Sequence, residues 1–388
     1  MIVYFIMLVS VTGLCALFSF WTRAMGTENR YISNNKYPHY YTSVFFWGIV
    51  VALSVPYVIR YYVGSDFDGY YFFYDYYAKY YSLSNIMSMR DWGYYLLAWV
   101  THHFTDGNWY AFVTILAILT YAPIVYYYKR YAYKFTFAVM IYIMFMCYFG
   151  GYNAVRQSVA IAFTTLAGMC LIDKKYVKFA IFAYIAYVFH ATTIIALPFI
   201  LLSLIDSKNR FLTAIKGVLI ISVFFMTSTW QVIMNMLGAV GQDKLYDDYS
   251  SVDVSTAHGS GYLRLLVYLV PVIIMLLYDK RIYTFFEDKK RDLIPNRDKY
   301  INYWINCIHF AAIFMFASTR YWIFARVAAF FAVYIPIVIS HITVLFNRRT
   351  RMVFYGVTIV LYFIYMYMMV HTESDLLPFR TEWGWIFN

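Results

Sequence analysis

The sequence predicts an all-α fold, a polytopic bundle of roughly ten to twelve membrane helices forming one integral membrane domain over 1–388, and three observations carry that prediction. Hydrophobic residues make up 63% of the 388-residue chain and charged residues 13%, about half the charged fraction of an ordinary soluble domain. Several apolar runs reach the ~20 residues that cross a bilayer. The Lys and Arg residues that leave the chain with a formal charge of +11 are gathered in short connections between those runs. No Pro/Gly/Ser-rich linker or shift of composition marks a second, soluble domain.

In chain order the apolar runs place helices near 2–21, 42–60, 108–128, 134–150, 154–172, 176–205, 211–229, 261–279, 300–317, 321–346 and 352–371. The first lacks a basic n-region and a small-residue cleavage site, so it reads as a retained helix. Six connections are densely basic: Arg23/Arg30/Lys36, Lys129/Arg130/Lys134, Lys174/Lys175/Lys178, Lys208/Arg210/Lys216, Lys280 through Lys299, and Arg348/Arg349/Arg351. The positive-inside rule makes all six cytoplasmic, the loop 280–299 among them. They alternate correctly only if 176–205 is broken at Phe189-His190 into a hairpin or re-entrant pair, and if Trp92–Phe104 is interfacial or re-entrant. Both chain ends then face outward, 61–104 becomes an outer-face amphipathic segment, and 230–260 becomes an outer loop.

Several function classes lose support at this point. The basic residues are spread over short connections with no binding module between them, which argues against nucleic acid as a partner. Cys15, Cys147, Cys170 and Cys307 lie in apolar segments and suggest neither a disulfide frame nor a zinc spacing. His102-His103 have no carboxylate or third histidine at ligand spacing, so no metal is assigned. Neither a P-loop nor a Gly-rich dinucleotide turn nor a serine-nucleophile motif is present, and no cofactor is expected.

The outer basic residues are the informative ones, because insertion bias does not explain them. Arginines dominate: Arg60, Arg90, Arg156, Arg264, Arg320, Arg326 and Arg380. Arg156 heads a long apolar run within Asn153-Ala154-Val155-Arg156-Gln157, where a membrane-buried arginine costs about 2.5 to 3.5 kcal/mol. Arg326 lies inside the run 321–346, roughly 9 Å along a helix from Arg320. A guanidinium fork suits phosphate oxygens, so arginines converging at one face suit a pyrophosphate; the structural alternative is snorkelling or pairing with a carbonyl or carboxylate. On a helical wheel Arg156 shares a face with Ala160, Phe163 and Ala167, which allows close helix contact. Along 66–81, Asp68, Asp75 and Lys79 form one stripe, with Asp66, Tyr70, Phe73, Tyr77 and Tyr81 opposite. Asp66 therefore reads either as a helix cap or as a carboxylate aimed among tyrosines. His190, at the proposed break, can bind phosphate or act as a base. Membrane-interface belts account for most of the 44 tyrosines, and sugar rings also stack on such faces.

Taken in order, the stretches Arg60 to Asp66, Asn153 to Ala160, Lys175 to His190 and the late Arg326 helix resemble the EpsG-type branch of the bacterial Wzy polysaccharide polymerases. The resemblance implies a GT-C-like membrane glycosyltransferase architecture. It implies a multi-pass protein of the bacterial plasma membrane, with its site facing the periplasm or cell exterior. Its substrates would be oligosaccharide repeat units carried on undecaprenyl pyrophosphate, destined for an O-antigen, capsule or exopolysaccharide, with a flippase and a chain-length regulator as companions. Arg156 and Arg326 would hold the donor pyrophosphate, with Asn153, Gln157, Arg60, Arg264 and Arg320 as further binding residues. Asp66 or His190 would be the catalytic base. The competing readings are a lipid-linked-sugar glycosyltransferase or O-antigen-type ligase, and a precursor transporter or flippase.

Overall fold

The computed structural model describes residues 1–24, 39–224, 261–288, 297–372, 375–384 and 386–387. The outer loop expected over 230–260 lies outside them, as does the 289–296 part of the basic loop 280–299. The described residues are overwhelmingly helical, and the chain is a multi-pass membrane protein. Its first helices, α1 (Ile2–Ala24) and α2 (His39–Ile59), pack against each other. A string of short elements follows: α3 (Phe67–Phe72), a π-turn (Phe73–Tyr77), α4 (Ala78–Tyr80), α5 (Leu83–Met87) and α6 (Trp92–Phe104). Next come α7 (Trp109–Tyr131), α8 (Phe135–Met144), the single turn α9 (Gly150–Asn153) and α10 (Val155–Ile172). The hairpin α11 (Tyr176–Phe189) and α12 (Thr193–Leu202) leads to α13 (Arg210–Phe224). The chain then runs through α14 (Tyr262–Asp288), α15 (Arg297–Ser318), α16 (Ile323–Ala332), α17 (Ile335–Ile342) and α18 (Arg348–Thr372).

Among the described residues five helices are long and apolar enough to cross a membrane alone, and α16 with α17 makes a sixth, bent by 47°. Two of the other crossings anticipated from the sequence are shorter or interrupted. The run expected over 134–150 stops at Met144, and 176–205 breaks at His190–Thr192, close to the break that charge parity requires. With 14 and 10 residues, α11 and α12 are about 21 and 15 Å long, too short to cross a ~30 Å hydrocarbon core separately. They leave and return to the same end of the bundle: Asn306 on α15 donates to the carbonyls of Ser203 and Ile205 just past α12. A hairpin of this kind leaves the parity of the remaining helices unchanged.

That end is the basic one. There the Tyr300 hydroxyl meets Tyr131 at 2.8 Å and the Asp173 carboxylate at 2.9 Å, so the ends of α7 and α10 and the start of α15 converge. At the opposite end α6 does not cross. It starts beside α11, is tied by the Trp99 indole N–H to the Tyr81 carbonyl, and ends at the exposed Phe104 before the chain turns into α7. Along 66–81 the polar stripe Asp68, Asp75 and Lys79 is exposed, and Phe73 is buried as the wheel requires. The π-turn shifts the phase, so Tyr74 and Ala78 join the buried face while Tyr77 and Tyr81 are half-buried.

Part of the tyrosine lies inside the bundle. Tyr127, Tyr128, Tyr131, Tyr300, Tyr303 and Tyr334 are buried inside the bundle. Their hydroxyls are satisfied there: Tyr303 meets Tyr334 at 3.0 Å, Tyr127 accepts from Trp304 at 2.8 Å, and Tyr128 donates to the Val333 carbonyl at 2.6 Å. A hydroxyl with a partner makes tyrosine an acceptable core residue, adding interhelical hydrogen bonds to its packing area.

The non-basic end is closed by a clasp. Gly64 and Tyr61 donate their backbone N–H groups to the carbonyls of Asp375 and Arg380, and the Tyr4 hydroxyl donates to Leu376. Gly64 has φ +98°, and a Cβ there would lie 2.5 Å from Asn153 Oδ1 and 3.0 Å from the Tyr152 carbonyl. Gly64→Ala is therefore expected to lower stability by about 1–3 kcal/mol, read as a reduced Tm of the detergent-purified protein. An unchanged Tm would mean that the loop is not seated against 152–153.

Candidate functional site

Arg156 lies in the first turn of the 18-residue helix α10, where the preceding Ala154 leaves helical geometry (φ −114°, ψ 57°). The start of a helix carries free N–H groups and the positive end of the macrodipole, so a cation there needs an anion close by. Asp91 supplies it. Its Oδ2 is 2.9 Å from an Arg156 guanidinium nitrogen, and the two side chains are 31% and 1% exposed. Arg156 also donates to the Tyr95 hydroxyl at 3.1 Å.

Asp91 reaches this position from the N-cap of α6 in a left-handed conformation (φ 58°, ψ 34°), which aspartate tolerates better than most residues. Two residues on, a Cβ on Gly93 would meet Val188 Cγ2 at 2.7 Å and the Val188 carbonyl at 3.0 Å, so only glycine lets α6 lie this close to α11. The same carboxylate ties down the hairpin tip. Oδ1 accepts the Ala191 backbone N–H at 2.7 Å, and Oδ2 is 3.3 Å from His190 Nδ1. Burial pushes the Asp91 carboxyl up, but the hydrogen bond from His190, the Arg156 charge and the Ala191 N–H outweigh it and hold the group below its usual value. Its contribution to stability is thus present above the ordinary carboxylate range and lost as pH falls through the lowered value.

An ionised carboxylate only accepts, so His190 Nδ1 carries the proton and, in the neutral ring, Nε2 carries the lone pair. Nε2 is buried and has no hydrogen-bond partner among the described residues. The arrangement Asp91–His190 thus orients an imidazole with its basic nitrogen uncommitted, while Asp91 also orients Arg156.

The neighbouring residues extend the site toward α16. Gln157 donates its side-chain N–H to the Arg326 carbonyl, fixing α16 against α10. The Arg326 guanidinium lies 5.0 Å from the Trp322 ring, with no carboxylate at ion-pair distance among the described residues. Tyr70 donates to the Asn153 carbonyl at 3.1 Å, and its hydroxyl feels the charges of Arg156, Asp66 and Arg326 together. Asn153, Gln157 and Arg264 line a cavity of about 220 Å³ whose remaining wall is largely apolar, including Ala325 and Ala329 of α16. Tyr365 lines the same cavity as Arg264.

The residues anticipated from the sequence fall into three groups. Arg156, His190, Asn153, Gln157 and Arg326 are brought together around the start of α10, and Arg264 shares the adjoining cavity. Arg60 is buried as a strut: it donates to the carbonyls of Tyr152 at 2.7 Å and Val63 at 3.3 Å, with its guanidinium 4.5 and 4.4 Å from the Tyr57 and Tyr152 rings. Asp66 is exposed at the start of α3 and accepts from Ser65, and Arg320 is exposed beyond α15. Asp91, the residue that joins Arg156 to His190, went unnoticed in the sequence. The signal for it was a lone carboxylate, Asp91, directly preceding an apolar segment, together with the need of Arg156 for an anion.

Asp91→Asn removes the charge while keeping the shape. Breaking the ion pair is expected to cost about 3 kcal/mol, the low end of the buried-pair range because Arg156 is partly exposed. Thermal unfolding of Asp91→Asn, Arg156→Gln and the double variant would check this. Additive losses would show that the two side chains do not interact.

The EpsG family model matches residues 43–381 of the chain. No curated protein and no solved structure matches it. A match over that span, covering α3 through α18 and every residue of the cluster, establishes that the chain belongs to the EpsG family, a family of the polysaccharide-polymerase type.

Proposed function

We propose that this protein is a membrane glycosyltransferase that joins oligosaccharide repeat units, carried on undecaprenyl pyrophosphate, into a surface polysaccharide at the outer face of the bacterial plasma membrane. The observation that carries the reading is the buried Asp91 carboxylate held between Arg156 and His190, which places an oriented base beside an oriented cation at a helix N-terminus. Sidedness rests on the positive-inside rule. Among the described residues the basic connections gather at the end of the bundle opposite the cluster, which supports an outward-facing cluster.

In the reaction an acceptor sugar hydroxyl gives its proton to His190 Nε2 while its oxygen bonds to the anomeric carbon of the donor. The bond from that carbon to the pyrophosphate oxygen breaks, and the pyrophosphate leaves on its lipid. Asp91 stabilises the imidazolium that forms, as a carboxylate does behind a histidine base. The departing negative charge meets Arg156, Arg326 and the free N–H groups of α10, a preorganised electrostatic environment. The pyrophosphate ester is already activated, so the step needs neither nucleotide nor metal. Of the two bases open at the outset His190 is favoured over Asp66, because Asp66 is exposed and lies outside the buried cluster.

Purified protein in liposomes, supplied with an authentic lipid-linked repeat unit, should form polymer resolved by size. His190→Gln is expected to reduce the rate of bond formation ~10²- to 10⁴-fold at equal folded protein. Arg156→Lys should lose much of the activity, because a point charge does not replace the fork. Asp66→Asn should stay within a few-fold of the unmodified protein. Normal polymer from His190→Gln would remove the base from the mechanism, and no polymer from the unmodified protein would remove the polymerase reading.

A further inference from the structure

A second feature lies at the other end of the helices that carry the site. A surface groove of about 560 Å³ runs between α2, α7, α10 and α11 at the basic end of the bundle. Its walls are apolar, with Trp47 on α2, Ile118 and Ala122 on α7, Leu166 and Met169 on α10, and Phe182 on α11. Its rim is charged, with Arg130, Lys175 and Lys178 facing the single carboxylate Asp173. That carboxylate is engaged, accepting from the Tyr300 hydroxyl at 2.9 Å and from Lys175 Nζ at 3.0 Å. Arg130 is braced by the hydroxyls of Tyr131 and Tyr126, at 3.0 and 3.4 Å. Lys178 is exposed and, among the described residues, forms no ion pair.

We propose that this groove is a binding site for an anionic phospholipid, with an acyl chain along the apolar wall and the headgroup phosphate among Arg130, Lys175 and Lys178. An apolar channel capped by an excess of cations at one end matches an amphiphile with a negative head. A zwitterionic lipid fills the same channel but cancels its own charge at the rim. The ligand couples to the site through two shared helices. α10 carries Leu166 and Met169 in the groove, with Asp173 just past its end, and Arg156 at its far end, while α11 carries Lys178 and Phe182 in the groove, with Lys175 just before its start, and ends beside His190. An occupant wedged between them holds the pair together, and Phe163 on α10 packs against Phe182 above it at 6.1 Å. None of this depends on the reaction proposed above.

Native mass spectrometry of detergent-purified protein, incubated with phosphatidylglycerol, phosphatidylcholine or inorganic phosphate, tests the proposal. Phosphatidylglycerol should be retained and should raise Tm, phosphatidylcholine should be retained more weakly, and inorganic phosphate should do neither. Lys175→Gln and Lys178→Gln should each weaken phosphatidylglycerol retention roughly fivefold, leaving Tm without lipid unchanged. Ala122→Trp, which fills the channel and spares the cations, should abolish retention. Equal retention of both lipids, undiminished retention in Ala122→Trp, or a Tm shift from inorganic phosphate alone would overturn it.

Discussion

One buried carboxylate organises the functional end of this molecule. Asp91 accepts from Arg156, from His190 and from the backbone of Ala191, so a single side chain fixes the start of α10, the tip of the α11–α12 hairpin and the start of α6. Each element would be poorly determined without it. A cation at a helix N-terminus is unfavourable, a broken membrane hairpin exposes backbone polar groups, and a short non-crossing helix has little apolar surface with which to choose a place. The charge and the close glycine contact at Gly93 act together. The glycine permits α6 to approach, and the carboxylate makes the approach favourable.

Away from this point the bundle is also held by polar side chains. Tyrosine hydroxyls pair with one another across α7, α15 and the junction of α16 with α17, and Asn306 holds the end of α12. In a bilayer, apolar side chains gain little by meeting each other rather than lipid, so hydrogen bonds and close packing choose the helix partners. That gives a role to part of the 23% aromatic content: tyrosines such as Tyr127, Tyr131, Tyr300 and Tyr303 are buried and bonded between helices.

Much of the architecture was legible in the sequence, because hydropathy and charge report directly on bilayer insertion. The break near His190 was legible for a subtler reason: six basic connections could share a side only if 176–205 turned back. The π-turn at 73–77 was not legible, since an inserted residue shifts helical phase without changing composition. Asp91 was missed because its partners lie 65 and 99 positions away, and no local pattern distinguishes a counterion from a helix cap. Arg60 shows the converse limit. A guanidinium that satisfies two carbonyls between two tyrosine rings looks, in a sequence, like one waiting for a phosphate.

The clasp that joins 61–64 to 375–380 also dictates an order of assembly. The loop beside Asn153 takes its backbone acceptors from residues that are synthesised after every helix of the bundle. While the chain is being inserted, Tyr61 and Gly64 have no native acceptor, and the mouth of the cluster stays unsealed. Closure is a contact of very long sequence separation, whose entropic cost is met only once the intervening helices have packed. The loop beside Asn153 thus reaches its finished setting only when the bundle around it is complete.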